Sequence, residues 1–147
     1  MQIDVKAVAD LDFAFKVAPD QGLLDPATDT ELAAAIPILA RLSVTHGFHV
    51  DQAGLPCRGG TMKASDGWAK FAADAEGTAL VQSLHAKLIT KKVWIWPMGS
   101  MEEATSAFGK GEQAIQQMEL SIPQKTAAQA AIDFSAIVDL MNWVKPL

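Results

Sequence analysis

The stretch THGFHVDQAGLPCRGG, residues 45–60, gathers two of the three histidines of the chain, its one cysteine, an aspartate and an arginine. Two kinds of chemistry fit such a set. His46 and His49 stand three apart, so a continuing helix would place both rings on one face. Asp51 or Cys57 could then fold back to complete a zinc-type ligand set. Alternatively, Cys57 is a nucleophile: the Arg58 charge beside it favours a thiolate, and the surrounding glycines free backbone amides to hold an anion.

Each reading meets an obstacle in the same residues. Gly47 interrupts the helix between the two histidines, and no second paired motif supplies further ligands. No specific base is tied to the thiol by spacing. The plainer reading is a helix C-terminus, where His46 and His49 meet the helix dipole, followed by an irregular connection built on Gly54, Pro56, Gly59 and Gly60. Such a connection is expected to be a flexible arm that orders against a neighbour. Neither a cofactor nor a metal is expected.

Other constellations are weaker. Asp10 and Asp12 form a DxD pair that could hold a divalent cation, but no glycine-rich phosphate loop follows. FGKGEQ, 108–113, lacks the spacing of a phosphate-binding loop. With 12 basic and 17 acidic residues the chain has a net charge of −5, and its lysines and arginines are scattered. Dedicated nucleic-acid binding is therefore not expected.

These groups must be positioned by a chain of 147 residues, half of them apolar. That composition predicts one globular domain over 1–147, with long loops at about 18–30 and 50–64. Residues 3–17 alternate: Ile3, Val5, Ala7, Ala9, Leu11, Phe13, Phe15 and Val17 are apolar, while most even positions are polar. This predicts one long strand with Phe13 and Phe15 on its apolar face. A capping box at Thr28–Glu31 starts a helix with the stripe Leu32, Ala35, Ile36, Leu39 and Leu42, kinked or split at Pro37 and stopped by Gly47. A helix capped by Ser65 or Asp66 carries Trp68, Phe71 and Ala72, and its stripe shifts at Gly77, with Thr78 as a second cap. KKVWIWPM is a second strand, apolar on both faces and ended by Pro97. Ser100 with Glu103 opens a short helix, 114–122 is a third strand, and Thr126 with Gln129 caps a last helix bearing Phe134, Ile137, Val138, Met141 and Val144.

The expected fold is α+β: a small sheet of about three strands with a long first strand, packed by four to five helices. A first strand longer than its partners leaves an open edge. Large aromatics on a second surface mark contact faces, so Trp94, Trp96, Trp143, Phe13 and Phe15 are the interface candidates. The resulting expectation is a non-catalytic assembly subunit of a homo-oligomer (a virion or phage tail is one setting). Its partners would be copies of itself and other assembly proteins. A small enzyme using the 46–58 loop, and a binding module stacking a ligand on its tryptophans, are the alternatives. The opening residues do not read as a signal peptide, a lone cysteine suits a reducing cytoplasm, and no apolar run is long enough to span a bilayer.

Overall fold

The computed structural model describes residues 5–101 and 134–145, together with positions 116, 126 and 129. The chain divides into two units, Met1–Ser100 and Met101–Leu147. The α+β class holds, with five helices among the described residues and a small sheet of few strands.

The first strand is shorter than the alternation predicts. Strand β1 covers Ala7–Ala9, and Phe13–Lys16 form a short helix, α1. The chain turns at Asp10, whose carbonyl accepts from the Phe13 amide at 3.1 Å. Burial explains the correction. Leu11, Ala14 and Ala18 are fully buried, three and then four residues apart, which is the spacing of one helical face. Ala14 is an apolar residue at an even position, so it broke the alternation and belonged to the other period. Phe13 and Phe15 are consequently packed against the core instead of lining a long strand.

Helix α2, Thr30–His46, buries Leu32, Ala35, Ile38, Leu39 and Leu42. It runs through Pro37 unsplit. Pro37 and Ala33, whose carbonyl loses its partner there, are both exposed, so water can solvate the freed group. Gly47 ends the helix as expected, in the left-handed conformation at φ 76°. The Thr28–Glu31 capping box does not form. The Thr28 hydroxyl donates instead to Asp25, and the Asp29 carboxylate accepts from the Asp25 amide at 2.6 Å.

Helix α3, Ala64–Ala73, begins with Asp66 accepting from the Lys63 amide at 2.7 Å. Helix α4, Ala75–Thr90, begins at Asp74 and not at Gly77. The Asp74 carboxylate accepts from the amides of Glu76 and Gly77 at 3.1 and 3.2 Å, the work of an N-cap. Thr78 is not a cap: its hydroxyl donates to the carbonyls of Ala72 and Asp74. Gly77 is small for another reason, since a Cβ there would run into the Phe71 carbonyl.

Strand β4, Val93–Ile95, is buried on both faces as expected. It pairs in parallel with β1, Ala7 opposite Val93 and Ala9 opposite Ile95. Between α2 and α3 lies a small ribbon: strand β2, His49–Val50, pairs antiparallel with β3, Pro56–Cys57. The core of this unit joins Leu11, Leu39, Phe71, Leu84, Leu88 and Ile95. Phe15 lies over Trp68 with centroids 4.8 Å apart, and Trp68 meets Phe71 edge-on at 6.2 Å.

In the second unit, helix α5 covers Ser135–Val144. The Thr126 hydroxyl accepts from the Gln129 amide at 3.2 Å, one half of the expected box. Of the expected strand 114–122 only Gln116 is described, and it is helical, which corrects the strand expectation at that position; Glu103 and the FGKGEQ turn lie outside the described residues.

Candidate functional site

Thr45 and His46 end α2, and residues 49–57 form a small ribbon that packs on the chain's own helices. Asp51 does the local work. Its Oδ1 accepts from the amides of Ala53 and Leu55 at 2.9 and 3.0 Å, an Asx-type turn. Its amide donates to the Leu55 carbonyl at 2.9 Å, and Gly54 supplies the left-handed step at φ 79°. The ribbon lies on Gly67 of α3: a Cβ there would sit 2.8 Å from Pro56 and 2.9 Å from the Phe48 ring.

This ribbon brings two of the candidate residues together. His49 and Cys57 are directly opposite each other, so both side chains emerge on one face. The His49 ring lies across Gly59, where a Cβ would collide with it. No hydrogen bond joins the ring to the half-buried Cys57 thiol. His46 ends α2 in an exposed position. With Asp51 Oδ1 committed to two amides, His46, His49 and Asp51 do not assemble as a ligand set. Among the described residues no group of three His, Cys, Asp or Glu side chains is placed to hold a metal ion. The DxD pair also separates, since Asp12 reaches along α1 to Lys16 at 3.4 Å.

A second constellation joins α2 to α4. Lys87 Nζ lies 2.7 Å from both Asp29 Oδ1 and Glu31 Oε2, and the Ser83 hydroxyl donates to Glu31. Hydrogen bonds from Lys87 hold both carboxylates below their ordinary range, and the same two partners raise Lys87. Asp29 and Lys87 also line a groove of about 570 Å³ between the 22–25 turn and the end of α4. Asp25 and Lys91 line the same groove. Sequence reading missed this set; the i, i+4 pair Ser83–Lys87 on the flank of α4 was its available signal.

The aromatic candidates divide. Trp94 and Trp96 are 5% and 4% exposed, so they offer no surface for a partner or a stacked ligand. Trp94 meets the His85 ring edge-on at 4.5 Å and Trp96 at 6.3 Å. Trp143 is half-buried on α5.

Among the described residues no strand pairs with the outer edge of β1. The Ala7 amide donates to Lys92 at 2.9 Å, and the Ala9 carbonyl accepts from Trp96 at 3.1 Å. Strand residues send their amides and carbonyls to alternate edges, so those of Val8 point away from β4. Val5 and Val8 are 69% and 47% exposed beside this edge. On the far side, the Ile95 carbonyl is taken by His85 Nδ1 at 2.8 Å. A side chain of α4 thus takes one outward carbonyl of β4.

Comparison with known proteins finds no matching family model, and neither a curated protein nor a solved structure matches the chain. Among the described residues no helix is long and apolar enough to cross a membrane.

Proposed function

We propose that this chain is a structural subunit of a homo-oligomeric assembly, without catalysis, and that β1 carries a subunit contact. The observation that carries the reading is the outer edge of β1, where Val8 directs its amide and carbonyl away from β4 beside exposed Val5 and Val8 side chains. An unpaired strand edge is a template for another strand, and proteins cover it or use it. The two strands described in this sheet, β1 and β4, would be marginal alone and gain from added strands. A virion or phage tail is one setting this reading covers.

Solution mass measured across protein concentration tests the proposal. The wild type is expected to form a discrete oligomer or polymer. Val8→Pro is expected to abolish it while keeping the fold, because the lost amide makes no bond to β4. A wild-type monomer at every concentration overturns the reading.

A second reading keeps the ribbon as an active site, favoured by one observation: His49 stands opposite Cys57. It predicts rapid, pH-dependent alkylation of Cys57 that slows in His49→Ala. Alkylation at the rate of an ordinary thiol in both proteins removes it.

A further inference from the structure

We infer that the groove between the 22–25 turn and the end of α4 is a binding site for a small zwitterion with an apolar body, its ammonium held by Asp25 and its carboxylate by Lys91. No β1 residue lines this groove, so the site stands or falls apart from the assembly reading.

Four ionisable side chains line the groove: Asp25, Asp29, Lys87 and Lys91. Lys87 is committed, lying 2.7 Å from both Asp29 and Glu31. Asp25 and Lys91 form no ion pair among the described residues. Asp25 is nonetheless fixed in place. Its Oδ1 accepts from the Ala27 amide at 2.9 Å, and its Oδ2 accepts from the Thr28 hydroxyl at 3.2 Å. A carboxylate accepts at about four positions, so capacity is left for a ligand ammonium on a side chain that the turn has already ordered. Lys91 is exposed at the C-cap of α4. Its charge adds, after the Lys87 hydrogen bond, to what lowers Asp29.

Charge balance selects the class of ligand. The two lysines and two aspartates that line the groove sum to zero. A ligand with one charge is therefore attracted at one end and repelled at the other. A molecule carrying both charges, laid in one direction, is attracted at both ends. Asp25 and Lys91 belong to different walls and do not meet within ion-pair distance, so the ligand's charges are separated, as in an aminoalkanoate or a dipeptide. Leu23, Leu24 and Ala86 supply apolar lining for its body. Gly22, left-handed at φ 65°, keeps its part of the turn wall free of a side chain. The volume of about 570 Å³ suits a small molecule.

The probe is ε-aminocaproate, with hexanoate and hexylamine as its single-charge counterparts, each titrated into the protein and followed by NMR shifts of Leu23, Leu24 and Ala86. Saturable shifts confined to the groove are expected, with a dissociation constant on the order of 1 mM for a small ligand held by exposed charges. Each counterpart should bind roughly fivefold more weakly. Lys91→Gln should remove the advantage of ε-aminocaproate over hexylamine. Asp25→Asn, which keeps an acceptor for the Ala27 amide, should remove its advantage over hexanoate. The comparison of the three ligands on the wild type decides the matter even if Asp25→Asn loses its turn. Alanylleucine, whose termini carry the same two charges, separates a peptide source from an aminoalkanoate source by which of the two binds more tightly. Hexanoate or hexylamine binding as tightly as ε-aminocaproate, shifts that do not saturate, or shifts centred elsewhere overturn the site.

Discussion

His85 donates from Nδ1 to the carbonyl oxygen of Ile95 at 2.8 Å, so a side chain of α4 satisfies a carbonyl that β4 turns away from β1. The ring also stands edge-on to Trp94. Burial holds His85 below the ordinary histidine value, against the opposing effect of the Ile95 bond.

This predicts an acid-sensitive sheet edge. A histidine with a lowered folded value takes up its proton more readily when unfolded. Its contribution is complete above the ordinary value of about 6.5 and is lost as pH falls from there through the folded value. The urea midpoint should therefore be flat near pH 7–8 and decline below about pH 6.5. His85→Asn, which keeps a donor but does not titrate, should flatten that decline. An unchanged profile in this variant would show that His85 is not its source.

The Lys87 cluster titrates in other windows. Asp29 and Glu31 are lowered, so their contribution is present above the ordinary carboxylate range and is lost as pH falls through it. Lys87 is raised, so its contribution is present below the ordinary lysine value and is lost as pH rises through the folded one. Lys87→Met should lower the urea midpoint at neutral pH and flatten both limbs. Added salt should reduce the difference between the two proteins, because the cluster is partly exposed.

Gly77→Ala should run against helix propensity. Replacing glycine by alanine in a helix ordinarily gains up to about 1 kcal/mol. Here the new Cβ meets the Phe71 carbonyl, which is backbone and cannot rotate away. Overpacking of this kind costs roughly 1–3 kcal/mol, so net destabilisation is expected in chemical denaturation. A more stable variant would mean that the α3–α4 junction yields easily.

Asp51→Ala should loosen the ribbon without unfolding the chain. The amides of Ala53 and Leu55 lose their shared acceptor, and their hydrogen exchange should accelerate at least tenfold. The exchange of Leu84 and Leu88, fully buried in α4, should be unaltered. Equal acceleration in both places would make Asp51 a determinant of global stability instead.

The elements with one dominant period were legible. Leu32, Ala35, Leu39 and Leu42 announce α2, Gly47 announces its end, and the doubly apolar VWIW announces a buried strand. The break between α3 and α4 was legible to within a few residues; the actual cap, Asp74, was hidden because Gly77 is the more visible signal. The first strand failed where two periods overlap. Alternating residues 3–17 also contain the helical trio Leu11, Ala14 and Ala18, and alanine fits either pattern. In the candidate site, the pairing of His49 with Cys57 depends on Asp51 closing a turn inside what read as loop. The parallel pairing of β1 with β4 and the bond from His85 to Ile95 are long-range facts that no local pattern carries.

The distance between Ala7 and its partner Val93 along the chain has a kinetic consequence. Strand β1 is synthesised before α2, α3 and α4, yet it cannot pair with β4 until all three have been made. Contacts so far apart in sequence form late, because the long loop must be closed first. Throughout that interval both edges of β1 are without the β4 ladder. On the assembly proposed above, β1 would be available to another chain before its own β4 exists.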